Sequence, residues 1–181
     1  PPRSTLFPYT TLFRSTHVRT GAAGAVAAKY LARKSLNQVA ILGCGAQARH
    51  QLEQLRKVRD VPSLALWDVQ RASAEAMARE AASRYGIPVK VADDPRQAMD
   101  GSDCIVTVTP SPKPFVQAQW VRPGMHITAV GSDSPHKQEL EPGVLARADV
   151  LVVDRMSQCA ALGETQDRKS TRLNSSHRIR S

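Results

Sequence analysis

The sequence is short of several features that would fix its class at once. None of its apolar runs approaches the ~18–20 residues of a membrane span, so no transmembrane segment is expected. It has no initiator Met, and no charged start leading into a long apolar stretch with a small-residue cleavage site, so no secretory signal is expected either. Cysteine is scarce. Cys44, Cys104 and Cys159 are odd in number, widely spaced and unaccompanied by ligand-spaced histidines, which argues against both a disulfide framework and a metal site. A reducing, cytoplasmic setting is the expectation. Acid is missing from both ends. Residues 1–15 hold Arg3 and Arg14, residues 168–181 hold Arg168, Lys169, Arg172, Arg178 and Arg180, and neither stretch has an Asp or Glu.

That last absence explains the formal charge of +9. Between Thr16 and Asp167 there are 18 basic and 16 acidic residues, a near balance, so the basicity belongs to the ends and implies no basic face on a folded domain. Both ends are rich in Ser, Thr and Arg and lack helical or strand periodicity. They read as solvated, disordered tails, and they resemble read-through of adapter or cloning DNA, so they are set aside from the fold. A pair of basic arms for nucleic acid is the rival reading; no nucleic-acid or membrane partner is expected. The middle, residues 16–167, is enough for one domain. It is expected to be part of a longer natural protein.

Within the middle, short apolar runs alternate with helical patterns. A small-residue helix is predicted over about Thr20–Lys34, then a buried strand at Gln38–Gly43, a helix at about Ala46–Arg59 and a strand at Leu64–Asp68. Arg71–Tyr85 is strongly helical, with Ala74, Met77, Ala81 and Tyr85 on one stripe. A short VKVA run and a turn or short helix at Asp94–Asp100 follow. Further strands are predicted at Cys104–Thr109, His126–Gly131 and Asp149–Asp154, with a short helix near Glu139–Ala148. Strands that are apolar throughout belong in a parallel sheet covered on both faces. The predicted fold is a doubly wound, Rossmann-type α/β domain.

The hexapeptide Gly43-Cys44-Gly45-Ala46-Gln47-Ala48 fits the G-x-G-x-x-G/A pattern, and it follows a predicted strand and opens a predicted helix. Gly43 permits the tight turn, Gly45 lets the backbone approach a pyrophosphate, and the helix N-terminus offers N–H groups to the anion. Asp68 ends the second strand, where a carboxylate bonds ribose hydroxyls and disfavours a 2′-phosphate; NAD is therefore expected over NADP. A glycine-rich turn that binds nothing, with Asp68 a solvated acid, is the plainer alternative. Arg71 leaves some room for a 2′-phosphate and otherwise reads as a surface residue. Thr109 and Gly131 end strands beside the same crevice, and the hydroxyl or backbone of Thr109 is placed to reach a nucleotide.

RTGAAGAVAAKYLARK, ILGCGAQA, LWD, TVTPS, PGMHITAVGSDSPHKQELEP and ADVLVVD, in that order, together resemble the ornithine cyclodeaminase/mu-crystallin family. GSDSPHKQEL and DRMSQCAALGE look closest to its ectoine-associated branch. The resemblance implies that Asp133, in the loop after a strand, handles protons, and that Arg19 holds the substrate carboxylate, a task suited to a planar guanidinium. It also implies cofactor contacts from Gly43, Gly45, Ala46, Gln47, Asp68, Thr109, Ala129, Val130 and Lys137. Read from the residues alone, Asp133 is equally a turn acid, Lys137 a loop cation and Arg19 a solvated cation. His136 stands where the family commonly has glycine. The implied activity is NAD-dependent cyclodeamination of an ornithine-like amino acid, releasing ammonia through an imino-acid intermediate with no net redox change. A ketimine reductase or amino-acid dehydrogenase is the alternative, and a non-catalytic ligand-binding protein a third. The resemblance further implies a homodimer for the full-length protein, with an N-terminal region and a C-terminal return that this chain lacks. The chain by itself is expected to be inactive.

Overall fold

A computed structural model describes residues 9–134, 136–155, 159, 163–165 and 178–180, the side chains of 9–15 and 178–180 excepted. Five strands form a parallel sheet in the order β3-β2-β1-β4-β5: β1 (Val39–Leu42), β2 (Leu64–Trp67), β3 (Val89–Val91), β4 (Cys104–Thr107) and β5 (His126–Ala129). The order reverses between β1 and β4, which pair Val39 with Cys104 and Leu42 with Thr107. That reversal opens a crevice at the carboxyl ends of the two strands.

Side chains alternate across the strands, and each set meets its own layer. Val39, Ile41, Leu64, Leu66, Cys104 and Val106 face α1 (Tyr9–Leu31), α2 (Ala46–Leu55) and α3 (Arg71–Tyr85). Ala40, Leu42, Ala65 and Ile105 face α4 (Pro95–Met99), α5 (Pro142–Ala146) and the 115–121 segment. β1 and β4 are buried along their whole length, so their sequences need no polar alternation. The predicted sheet is therefore present, with both faces covered. α3 spans the predicted residues and buries Ala74, Met77 and Ala81, and Asp94 caps α4 by accepting from Gln97 N–H.

Three expectations about the edges differ from the structure. The first helix begins at Tyr9, not near Thr20, and ends at Leu31. Thr20 does not cap it: its hydroxyl donates back to the Thr16 carbonyl at 3.0 Å, within the helix. Residues 9–15, expected to lack regular structure, thus carry helical backbone. Second, the DVLVVD run forms β6 (Val150–Val152) outside the five-stranded sheet, paired instead with β7 (Arg178–Arg180). Val150 and Val152 are exposed there. An apolar run reports hydrophobicity, not which layer covers it. Third, the tail 168–181, expected to lack regular structure, carries β7; that is the part of it that is described, and the remainder lies outside the described residues.

α1 lies tightly on α2 because glycine brings the backbones together. A Cβ on Gly21 would stand 2.8 Å from the His50 carbonyl oxygen, and one on Gly24 would stand 2.3 Å from Gln51 Oε1. The same Gly24 lies close to Thr128 of β5, so α1 bridges the fingerprint helix and the far side of the crevice. Among the described residues no helix is long and apolar enough to cross a membrane.

Candidate functional site

The floor of the crevice is the turn from β1 into α2. Gly43 has φ +98°, and a Cβ there would meet the Val108 carbonyl oxygen at 2.7 Å, so glycine is required by both conformation and space. Its N–H donates to the Trp67 carbonyl at 2.8 Å, and Val108 N–H donates to the Leu42 carbonyl at 2.9 Å, tying the turn to β2 and β4. Gly45 differs. Its φ of −75° suits any residue, yet no atom lies within 4 Å of where its Cβ would be. It is the N-cap of α2, and no side chain caps that end. An open space beside an uncapped helix N-terminus fits a phosphate group.

Arg49, one turn into α2, holds the loop from behind, donating to the carbonyls of Cys44 and Gly45 and pairing with Glu80. Asp68 sits at the end of β2 as predicted. Its Oδ2 accepts from Cys44 N–H at 2.7 Å and its Oδ1 from Gln70 N–H at 2.8 Å, which fixes the carboxylate at the loop. Each oxygen keeps a lone pair for a ribose hydroxyl. Arg71 is engaged elsewhere, ion-paired with Glu75 and Asp93. The two buried thiols, Cys44 and Cys104, are pushed up to about 12 by burial and offer no nucleophile. Among the described residues no group of three or more His, Cys, Asp or Glu could hold a metal ion.

The other wall is made by the exits of β4 and β5. Val130 N–H donates to the Thr107 carbonyl, and Ala129 is exposed at the strand end. Thr109 is at the crevice, as expected, and its hydroxyl is turned to an acid of the chain. It donates to Glu139 Oε1 at 2.8 Å, so that donor is spent inside the protein. Asp133 is exposed beyond β5, and Lys137 Nζ lies 2.6 Å from its Oδ1. The two residues, expected in separate roles, form one ion pair. Gln47 is in the first turn of α2, with its side chain turned to α1, where it bonds the His17 ring and the His17 carbonyl. The ring of His17 stacks on that of His50. Arg19 is exposed on the same helix, α1, two residues on. Its helix touches β5, but its guanidinium and the Asp133 carboxylate are joined by no bond in the structure.

Sequence reasoning missed Glu139 and His17. Nothing local marks either one. Glu139 reads as the acid that opens a short helix, and His17 precedes the first predicted helix with no sign of a partner, until the fold brings their partners to them.

The features above define a Rossmann-type domain with an open crevice at the uncapped start of α2. The comparisons with known proteins give its family. The chain matches the model of the ornithine cyclodeaminase/mu-crystallin family over residues 10–179 and belongs to that family. It is 44% identical over 149 residues to an uncharacterized cyclodeaminase of Sinorhizobium fredii, covering 82% of this chain and 45% of that one. It is 44% identical over 150 residues to the alanine dehydrogenase of Archaeoglobus fulgidus, covering 83% and 45%. The solved Δ1-pyrroline-2-carboxylate reductase of Thermococcus litoralis, in complex with NADH and L-proline, superposes with a TM-score of 0.79 at 33% identity, covering 83% of this chain and 46% of that one. The chain spans about half the length of the curated relatives it matches.

Proposed function

We propose that the chain is the cofactor-binding half of an NAD(H)-dependent enzyme that works at the Cα–N bond of a small amino acid or its imine. The observation that carries this reading is the open, uncapped start of α2 at Gly45, with Asp68 fixed beside it. Asp68 would hold the adenosine ribose, the N-terminus of α2 the pyrophosphate, and the exits of β4 and β5 the second nucleotide. Asp68 and the occupied Arg71 favour NAD over NADP. A bound nicotinamide dinucleotide supplies reversible two-electron exchange with the substrate carbon.

The protein's own tasks are binding and proton handling. The exposed guanidinium of Arg19 suits a substrate carboxylate. Asp133 stands at the exit of β5, held through Oδ1 by Lys137 and open to solvent, where it can take a proton from a substrate amine. In the cyclodeaminase form of the reaction the substrate carbon loses a hydride, the side-chain amine closes on the resulting imine, ammonia leaves, and the cyclic imine regains the hydride, so no net redox change remains. In the reductase form a cyclic imine gains a hydride and a proton and becomes the cyclic amino acid; in the dehydrogenase form the amino acid is oxidised to its imine, which water converts to the keto acid and ammonia, a reading supported by the identity to the alanine dehydrogenase.

Thermal unfolding of the chain with NADH and with NADPH tests the cofactor. At a concentration of 100 Kd, NADH should raise stability by about 2.7 kcal/mol; an unmoved transition overturns the reading. The reaction class is decided in the complete protein. Ammonia released from L-ornithine without net NADH is the outcome for the cyclodeaminase, and NAD(H) turned over one-for-one with substrate is the outcome for the oxidoreductase.

A further inference from the structure

Beyond the Asp133 loop the chain turns back beneath its own exit, and Leu140 forms a parallel bridge with Val116. Glu139, in this return, is fully buried and is the one buried carboxylate among the described residues. Its Oε1 accepts from Thr109 N–H at 2.6 Å and Thr109 Oγ1 at 2.8 Å. Its Oε2 accepts from Thr107 Oγ1 at 2.7 Å and Gly131 N–H at 2.9 Å. Four donors match the lone-pair capacity of an ionised carboxylate.

The donors are not scattered. Thr107 ends β4, Thr109 is its exit, and Gly131 is the exit of β5. The two exits press together, since a Cβ on Gly131 would stand 2.1 Å from the Thr109 carbonyl oxygen and 2.6 Å from Glu139 Cδ. The backbone that carries Glu139 is itself clamped. Its N–H and that of Leu140 donate to the two oxygens of Glu164, at 2.8 and 3.0 Å, and its carbonyl accepts from Phe115 and Val116 N–H. Burial pushes the Glu139 carboxyl up, while the hydrogen bonds from Thr107, Thr109 and Gly131 oppose that. An apolar side chain could fill the same volume without a desolvation penalty. What an apolar side chain cannot do is fix two strand exits in register through four directed bonds.

We propose that Glu139 is a positioning residue for the nicotinamide half of the crevice, setting the β4 exit against the β5 exit and through them the Asp133 loop. This rests on the dinucleotide reading above. In that reading the adenosine half is held by Asp68 and α2, which Glu139 does not touch, so the two halves of the cofactor should respond differently.

The test is a titration of the whole chain, below its unfolding transition, with NADH and with ADP-ribose, which lacks the nicotinamide ring. Glu139→Gln places an amide NH2 against one pair of donors. It should weaken NADH by about tenfold and leave ADP-ribose within about twofold. Thr107→Val removes a single hydroxyl donor at nearly constant shape. It should show the same selective loss, about threefold, and it carries the test if Glu139→Gln does not fold. Equal weakening of both nucleotides means a structural role only, and no weakening means no role; either result overturns the inference. A wild-type chain that binds neither nucleotide overturns the dinucleotide reading and this inference with it. A wild-type chain that binds both, beside unaltered variants, overturns only the part given to Glu139.

Discussion

Gly43 and Gly45 stand two residues apart in one loop, and the structure predicts opposite outcomes when each is changed to alanine. At Gly45 the backbone angle of −75° accepts a side chain, and nothing lies within 4 Å of the added methyl. The loss of freedom in the unfolded chain should therefore stabilise Gly45→Ala by about 0.4–1 kcal/mol. The same methyl projects into the space assigned to the pyrophosphate. If it weakens NADH tenfold, a concentration that was 100 Kd becomes 10 Kd, and the ligand-dependent stabilisation drops from about 2.7 to about 1.4 kcal/mol. At Gly43 the methyl meets the Val108 carbonyl at 2.7 Å with φ at +98°. Left-handed strain of about 1–2 kcal/mol and overpacking of about 1–3 kcal/mol give a loss of roughly 2–5 kcal/mol. For a chain of this length that is a fall in Tm of about 4–20 °C. Differential scanning fluorimetry of the three proteins, with and without NADH, reads both effects. The expected pattern is a higher Tm with a blunted NADH shift for Gly45→Ala, and a lower Tm for Gly43→Ala. A Gly45→Ala protein with an undiminished NADH shift would refute the assignment of that space to the cofactor.

Two further predictions concern charge. Changing Asp68→Asn removes the negative charge facing a 2′-phosphate, and the ratio of NADPH to NADH dissociation constants should fall by about tenfold. An unchanged ratio would move the source of selectivity away from Asp68. His126 is buried at the start of β5, with Nε2 2.9 Å from Thr128 Oγ1, and burial together with the charge of Arg59 pushes it down to about 4. Its folded value lies below its unfolded value of 6.5, so the neutral ring contributes stability that is present above pH 6.5 and lost as the pH falls towards 4. The loss should reach about 3 kcal/mol. Melting curves of wild type and His126→Asn between pH 7 and pH 4 measure it as a shallower decline in the variant, and parallel curves would dismiss the effect.

The parts of the site that could be read from the sequence are those made by neighbours along the chain. A strand, a glycine turn and a helix start occupy Val39 to Leu55 without interruption, and the acid that faces them closes the next strand. Periodicity and turn chemistry act over a few residues, so they reveal such a unit directly. The partner of the Thr109 hydroxyl was hidden for the opposite reason. Its partner is Glu139, 30 residues away, and nothing between them signals that the loop after β5 doubles back. Lys137 and Asp133 lie one helical turn apart in sequence, yet the pairing that merges them depends on the fold of that loop. Arg71 reads as a surface residue with some room for a phosphate, and its pairing with Asp93 is set by the chain beyond β3.

The amino-acid sequence by itself determined the alternation of strand and helix, the continuous apolar strands that demand two covering layers, and the loop that offers backbone N–H groups to an anion. Each follows from local sterics, hydrophobic spacing or the absence of a side chain. The tertiary structure alone decided which apolar runs joined the sheet, leaving β6 outside it, and how far α1 extends upstream. It alone also decided that one acid among the described residues, Glu139, would be buried beneath the crevice with four donors. Burying a carboxylate is favourable only where distant segments deliver those donors together, and that condition exists only in the folded chain.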